Sequence, residues 1–319
     1  KTVYLRTLIV FREGKGEEAR QVLRESAEEI KQSKEEFRSK LPNTRLMLGV
    51  VAFFEQHYDE ALNHLKFFLG TFPNHAGAKR YLASTYLALG EYRQVIRLYK
   101  PSARSVAPRD PMALSLLAEA YRAIGNTDAA EQYFAAALKL APGVAGIGVR
   151  LAASRLESGR GKEAAEQLEQ LVKRFPELSE AWVQLARVHV KLGNLERATE
   201  IVKSMLAQFS DDASIHNLAG TIYLASGDHS AAELELRLAE QMDDELLLPK
   251  MNLARLAKIR GELASAESKY RSILQQFPNN ITANIELARL LNRTGEEAEA
   301  LERVTDILRA EPLFFDAHE

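Results

Sequence analysis

The stretch PMALSLLAEAYRAIGNTDAAEQYFAAALKLAPGV, residues 111–144, decides the fold. Its large apolar residues Leu117, Tyr121, Phe134 and Leu138 recur at helical spacing and do not alternate as a strand would. Gly125 stands between two such runs and can take the left-handed conformation that closes a helix. Ala118, seven residues before it, and Ala130, five after it, are small enough to let two helix axes approach to about 8–10 Å. Pro142 cannot continue the second helix and so ends the unit.

The same pattern extends in both directions. Glycine recurs at 125, 159, 193, 227, 261 and 295, each step being 34 residues; Gly90 lies 35 before Gly125, and Gln56 holds the same place 34 before Gly90. Seven residues before each stands a small residue: Gly49, Ala83, Ala118, Ala152, Ala186, Gly220, Ala254 and Ala288. Five after each stands Ala61, Ala130, Ala164, Ala198, Ala232, Ala266 or Ala300, with Val95 as the exception. Proline closes many units, at 73, 142, 176, 278 and 312, and Pro108 fits with one inserted residue. Ser210 and Asp244 stand where that proline is expected, and His189 and Ala257 where an aromatic is expected.

Leu117-Ala118, Tyr121, Gly125, Ala130, Phe134, Ala137 and Pro142 together resemble the tetratricopeptide repeat (TPR), whose period is 34 residues. Trp182 holds the consensus aromatic position of its unit. The resemblance covers eight units within residues 41–314, starting near 42, 76, 111, 145, 179, 213, 247 and 281. Residues 1–40 read as a divergent helix pair, with Gly14 and Ala19 in place and a second helix extended through Glu35 and Glu36. Residues 315–319 read as the start of a further unit, so the chain is expected to be a piece of a longer one. The implied fold is all-α: a helical-hairpin solenoid in a right-handed superhelix. The phrases LASTYLALGEY (residues 82–92), AEAYRAIGNTDAAEQYFAAALKLAPG (118–143) and LARLLNRTGEEAEAL (287–301) are similar to the TPR lipoproteins of the PEP-CTERM/exosortase system. Those are envelope proteins of Gram-negative bacteria encoded beside exopolysaccharide and protein-sorting machinery.

Composition narrows the chemistry. The chain has no cysteine, so disulfides, thiolate nucleophiles and cysteine zinc sites are excluded. A net charge of −2 gives no general pull toward nucleic acid or an anionic membrane. No apolar run approaches the ~18 residues needed to span a bilayer. The glycines at 143, 146 and 148 open a helix and lack a following Lys-Ser/Thr, so they form a turn and not a phosphate loop. His57 and His64 share a helix without a metalloprotease motif and read as surface residues. His189 and His216 fall at packing positions, and His229 falls in a turn. Carboxylate pairs such as Glu17/Glu18 and Asp211/Asp212 sit at helix starts, where the helix dipole favours them. Neither a catalytic constellation nor a cofactor or metal site is legible, and the chain reads as a binding protein.

The TPR resemblance implies that the first helix of each unit lines a concave groove. In the last four units the groove positions hold Arg187, Lys191, Arg255, Lys258, Arg289 and Arg293 against Glu180. In the earlier four they hold Arg80 and Arg122 against Glu119 and Glu157. Leu-Ala-Arg recurs at 185–187, 253–255 and 287–289, with Thr221 in the missing place, so a positive strip is expected. Guanidinium groups suit carboxylates through paired hydrogen bonds; the bland alternative is a solvated helix face. Asn217 and Asn252 sit where a carboxylate clamp would have asparagines, but the matching lysines are missing. Phe53 and Phe54, with Leu46 and Val50, offer an apolar stripe or plain core packing. The expected role is a scaffold or adaptor holding a protein or peptide, with an anionic exopolysaccharide as the alternative guest. The expected setting is periplasmic or envelope-associated, the cytoplasm being compatible with the same composition.

Overall fold

The computed structural model describes residues 21, 25, 42–99 and 109–310. Among them lie sixteen α-helices and no strand, as expected of an all-α repeat. The expected helix pair within 1–40, apart from Gln21 and Glu25, lies outside the described residues. So do Pro108, Pro312 and the further unit at 315–319.

The chain divides into two compact units, Lys1–Arg160 and Gly161–Glu319. The first contains α1 (Pro42–Phe54), α2 (Tyr58–Thr71), α3 (Ala76–Ala88), α4 (Tyr92–Tyr99), α5 (Pro111–Ala123), α6 (Thr127–Leu140) and α7 (Ala145–Glu157). The second contains α8 (Gly161–Arg174), α9 (Ser179–Lys191), α10 (Leu195–Gln208), α11 (Ala213–Ser226) and α12 (His229–Met242). It continues with α13 (Leu247–Ile259), α14 (Leu263–Gln276), α15 (Ile281–Thr294) and α16 (Glu297–Ala310).

Local chemistry sets the helix ends. Asp110 caps α5 by accepting from the Met112 amide at 3.1 Å, with Pro111 in the first turn. Asn126, Asp212, Asp228 and Asn280 cap α6, α11, α12 and α15 in the same way. Such a cap contributes about 1 kcal/mol. The first helices close in one recurring motif. The Gly125 amide donates to the Arg122 carbonyl at 3.0 Å, and the Asn126 amide to the Tyr121 carbonyl at 2.9 Å. This Schellman turn needs a left-handed residue, and Gly125 has φ 79°. The other six period glycines also have positive φ. Gln56 adopts φ 62° in the same turn without the freedom of a glycine.

Packing follows the small residues. Ala83, Ala118, Ala186 and Ala254 on first helices are fully buried, as are Ala61, Ala130, Ala198, Ala232 and Ala266 on second helices. Between them lie Phe134 in the first unit and Tyr270 in the second, each below 2% exposure. At Gly220 the approach is tightest: a Cβ there would lie 2.5 Å from Leu236 Cγ and 3.2 Å from the Ala232 carbonyl oxygen. First helices also touch one another, α1 to α3 and α3 to α5 in the first unit, and α9 to α11 and α11 to α13 in the second.

A hydrogen bond ties each unit end to the next first helix in three places. Trp182 Nε1 donates to the Pro176 carbonyl at 2.8 Å. Asn284 Nδ2 donates to the Pro278 carbonyl at 3.1 Å. His216 Nε2 lies 2.9 Å from the Ser210 carbonyl, while its Nδ1 meets Glu235 at 2.6 Å. The group used at the proline position is a main-chain carbonyl, so Ser210 serves as well as proline.

Candidate functional site

The face carried by first helices differs between the two units. In the first, its cations are spoken for. Arg80 pairs with Asp110 at 2.8 Å, and Arg122 with Glu119 at 2.9 Å and Glu157 at 2.8 Å. Arg150 also reaches Glu119 at 3.7 Å.

In the second unit Arg187, Thr221, Arg255 and Arg289 occupy equivalent positions on α9, α11, α13 and α15, and all four are exposed. The side chains of Arg187, Arg255 and Arg293 make no hydrogen bond or ion pair among the described residues. Lys191 is exposed on the last turn of α9 but is not free. Lys258 and Arg289 converge on Glu286, which lies 2.9 Å from Arg289 and pairs with Lys258 across from α13. Only 17% of the Glu286 side chain is exposed. Burial pushes its carboxyl up, but the hydrogen bonds and charges of Lys258 and Arg289 outweigh that and hold it below the usual carboxylate range.

The expected strip is therefore interrupted twice. Glu286 neutralises two of its members. At the Thr221 position, Asn252 Nδ2 donates to Asn217 Oδ1 and to Thr221 Oγ1, both at 3.1 Å, while the Thr221 hydroxyl donates to the Asn217 carbonyl at 2.9 Å. Asn217 thus belongs to a neutral bridge between α11 and α13. Beside the Glu286 bridge lies a hollow of about 380 Å³ lined by Lys258, Ile259, Arg289, Leu290 and Arg293. Ile259 is 47% exposed there, an apolar element that the charge pattern did not announce. Glu286 was also missed, although its place one turn before Arg289 is a readable i,i+3 signal.

Phe53 and Phe54 belong to the first unit and all six cations to the second. Both are half-buried, with ring centroids 5.6 Å from each other and 5.8 and 6.1 Å from Tyr81 of α3. Phe68 enters the core and Phe67 stays exposed beneath Arg45, whose guanidinium lies 4.8 Å from the ring centre. His64 departs from the surface reading: it is mostly buried, 3.1 Å from Arg45 and 3.4 Å from Glu60. His229 is the first residue of α12 and not part of a turn. Among the described residues no cluster of His, Asp and Glu could hold a metal ion, and no helix is long and apolar enough to cross a membrane.

Tetratricopeptide-repeat family models match residues 155–222 and 259–318, and 46–94 and 82–145, together more than half of the chain. The chain belongs to the tetratricopeptide-repeat family. No curated protein sequence matches it. Its fold is similar to a TPR protein of Parabacteroides merdae, with a TM-score of 0.56 and 19% identity over 81% of this chain and 98% of that one. It is also similar to the APC/C hetero-tetramer Cut9-Hcn1, with a TM-score of 0.54 and 16% identity over 91% of this chain. There this chain spans 57% of the other's length. A thermophilic TPR protein of Thermus thermophilus matches at 26% identity and a TM-score of 0.49, over 57% of this chain and 98% of that one. TPR repeats generally serve protein–protein interaction and scaffolding.

Proposed function

We propose that this TPR chain is a scaffold that holds an acidic segment of a partner protein on the first-helix face of α9 to α15. One observation carries the reading: Arg187, Arg255 and Arg293 are exposed on that face with no partner among the described residues, whereas Arg80, Arg122 and Arg150 of the first unit are ion-paired. A free guanidinium offers a planar set of donors to a carboxylate, and several of them add when one extended anion orders only once. Phe53 and Phe54, with Tyr81, give the same scaffold a second, apolar contact in the first unit. The resemblance of residues 82–92, 118–143 and 287–301 to PEP-CTERM/exosortase lipoproteins supports a setting in a bacterial envelope assembly linked to exopolysaccharide or protein sorting. In that setting an anionic exopolysaccharide is the alternative guest for the arginines.

The test is fluorescence anisotropy with a labelled octapeptide of six glutamates and two leucines. Binding to the parent chain should weaken as salt is raised. Arg187→Glu combined with Arg255→Glu should lower affinity at least tenfold, by analogy with exposed charge reversal on an acidic ligand, at unchanged helicity. Parent-like affinity in that variant would reduce the arginines to a solvated face.

A further inference from the structure

Glu286 stands where a ligand would stand. Its carboxylate is mostly buried, pairs with one cation on its own helix and another on α13, and lies beside a hollow of about 380 Å³. That volume is at the small end for a ligand pocket, enough for one or two side chains of a larger partner. Arg293, on the wall of the hollow, has no partner among the described residues. We infer that Glu286 is a built-in competitor, and that the hollow between α13 and α15 receives an acidic residue next to an aliphatic one by exchanging Glu286 for the partner's carboxylate.

The chemistry supports exchange over simple addition. A lysine ammonium carries three donors and a guanidinium five, so one carboxylate leaves donors on both Lys258 and Arg289 unused. An incoming carboxylate meets Arg293 and Arg289 without first stripping the site of all its charge pairing. It then takes over contacts already shaped for a carboxylate by Glu286. The apolar half of the site is Ile259, 47% exposed, with Leu290 beside it. Leu290 is already buried, so it is the covering of Ile259 that favours a leucine- or isoleucine-like side chain adjoining the acid. A polysaccharide fits less well, since no aromatic ring lines the hollow to stack on a sugar. A carboxylate tethered in place also discriminates: a diffuse polyanion must displace it and gains nothing from Ile259.

This inference rests on the acidic-segment reading above, and its test separates the two. Anisotropy with the same octapeptide is measured on the full chain and on Glu286→Gln, Arg293→Gln and the double variant. Glu286→Gln should bind about tenfold tighter, one hydrogen bond to a charged group being worth about that factor, and its affinity should fall more steeply with salt. Arg293→Gln should weaken binding and cancel most of the gain in the double variant. Because Arg293 has no partner to lose, that result does not depend on the stability of the Glu286 bridge. Unchanged or weaker binding in Glu286→Gln, with an unaltered thermal melt, overturns the competitor role and leaves Glu286 as a strut. Should Glu286→Gln melt early, unchanged affinity in Arg293→Gln alone overturns the hollow. If Arg187→Glu with Arg255→Glu abolishes binding while neither Glu286 nor Arg293 responds, the scaffold reading survives and this one fails. Failure of the parent chain itself to bind removes both. An oligo-uronate probe showing the same response to Glu286→Gln would overturn the choice of a peptide.

Discussion

The indole of Trp182 donates to the carbonyl oxygen of Pro176 at 2.8 Å. A carbonyl near a helix end has no partner within the helix, so a side chain of the next unit supplies one. Gln208 Nε2 donates to the same oxygen, also at 2.8 Å. Trp182→Phe should therefore destabilise the chain by about 1 kcal/mol, a net hydrogen bond without the added penalty of an unsatisfied carbonyl. Urea unfolding followed by far-ultraviolet circular dichroism reads this directly, since Trp182 is the only tryptophan and its fluorescence is lost with it. An unshifted midpoint would show that the indole contributes packing alone.

Gln56 holds a left-handed turn with φ 62°, where the other seven periods have glycine. A side chain in that region costs roughly 1–2 kcal/mol, and glycine returns part of the gain through its larger unfolded-state entropy. Gln56→Gly should raise stability by about 1 kcal/mol on that balance. A lowered denaturation midpoint would mean that the Gln56 side chain makes contacts worth more than the strain.

His189 occupies an aromatic position and is 8% exposed, with both ring nitrogens lacking a hydrogen-bond partner. Burial pushes its pKa below the ordinary 6.5; Glu169 partly opposes this, and Arg197 adds to the lowering. As pH falls through about 6.5, the unfolded chain binds a proton at this histidine that the folded chain refuses. Stability contributed by the neutral ring is thus present above that pH and lost below it. His189→Phe should flatten the dependence of the melting temperature between about pH 7.5 and 5.5, the range in which an unperturbed histidine titrates. Parallel pH profiles for parent and variant would exclude His189 as the source.

What was legible in the sequence is what backbone geometry demands at one position. A left-handed turn asks for glycine at 125 and its equivalents, and a close helix crossing asks for alanine at 118 and 130. These demands recur every period and so reveal it. Glu286 escaped because its meeting with Lys258, 28 residues away, depends on how two helices are rotated against each other, which no period encodes. The bridge of Asn252 to Asn217 and Thr221 is hidden for the same reason. Trp182, His216 and Asn284 do one job with three different side chains, so a search for identical residues passes over it. Their shared acceptor is a main-chain atom, and the departure at Ser210 is only apparent.

The Glu286 bridge bears finally on the protein when nothing is bound. Like charges gathered on neighbouring helices push those helices apart, and a scaffold held only by such charges would need its guest to stay folded. Here a carboxylate stands between two of the cations, and amides and a hydroxyl fill the gap in the row. That part of the face is balanced from within the chain. Lys258 and Arg289 therefore keep a counter-charge of their own, and the closeness of α13 to α15 at this point does not wait on anything outside the chain.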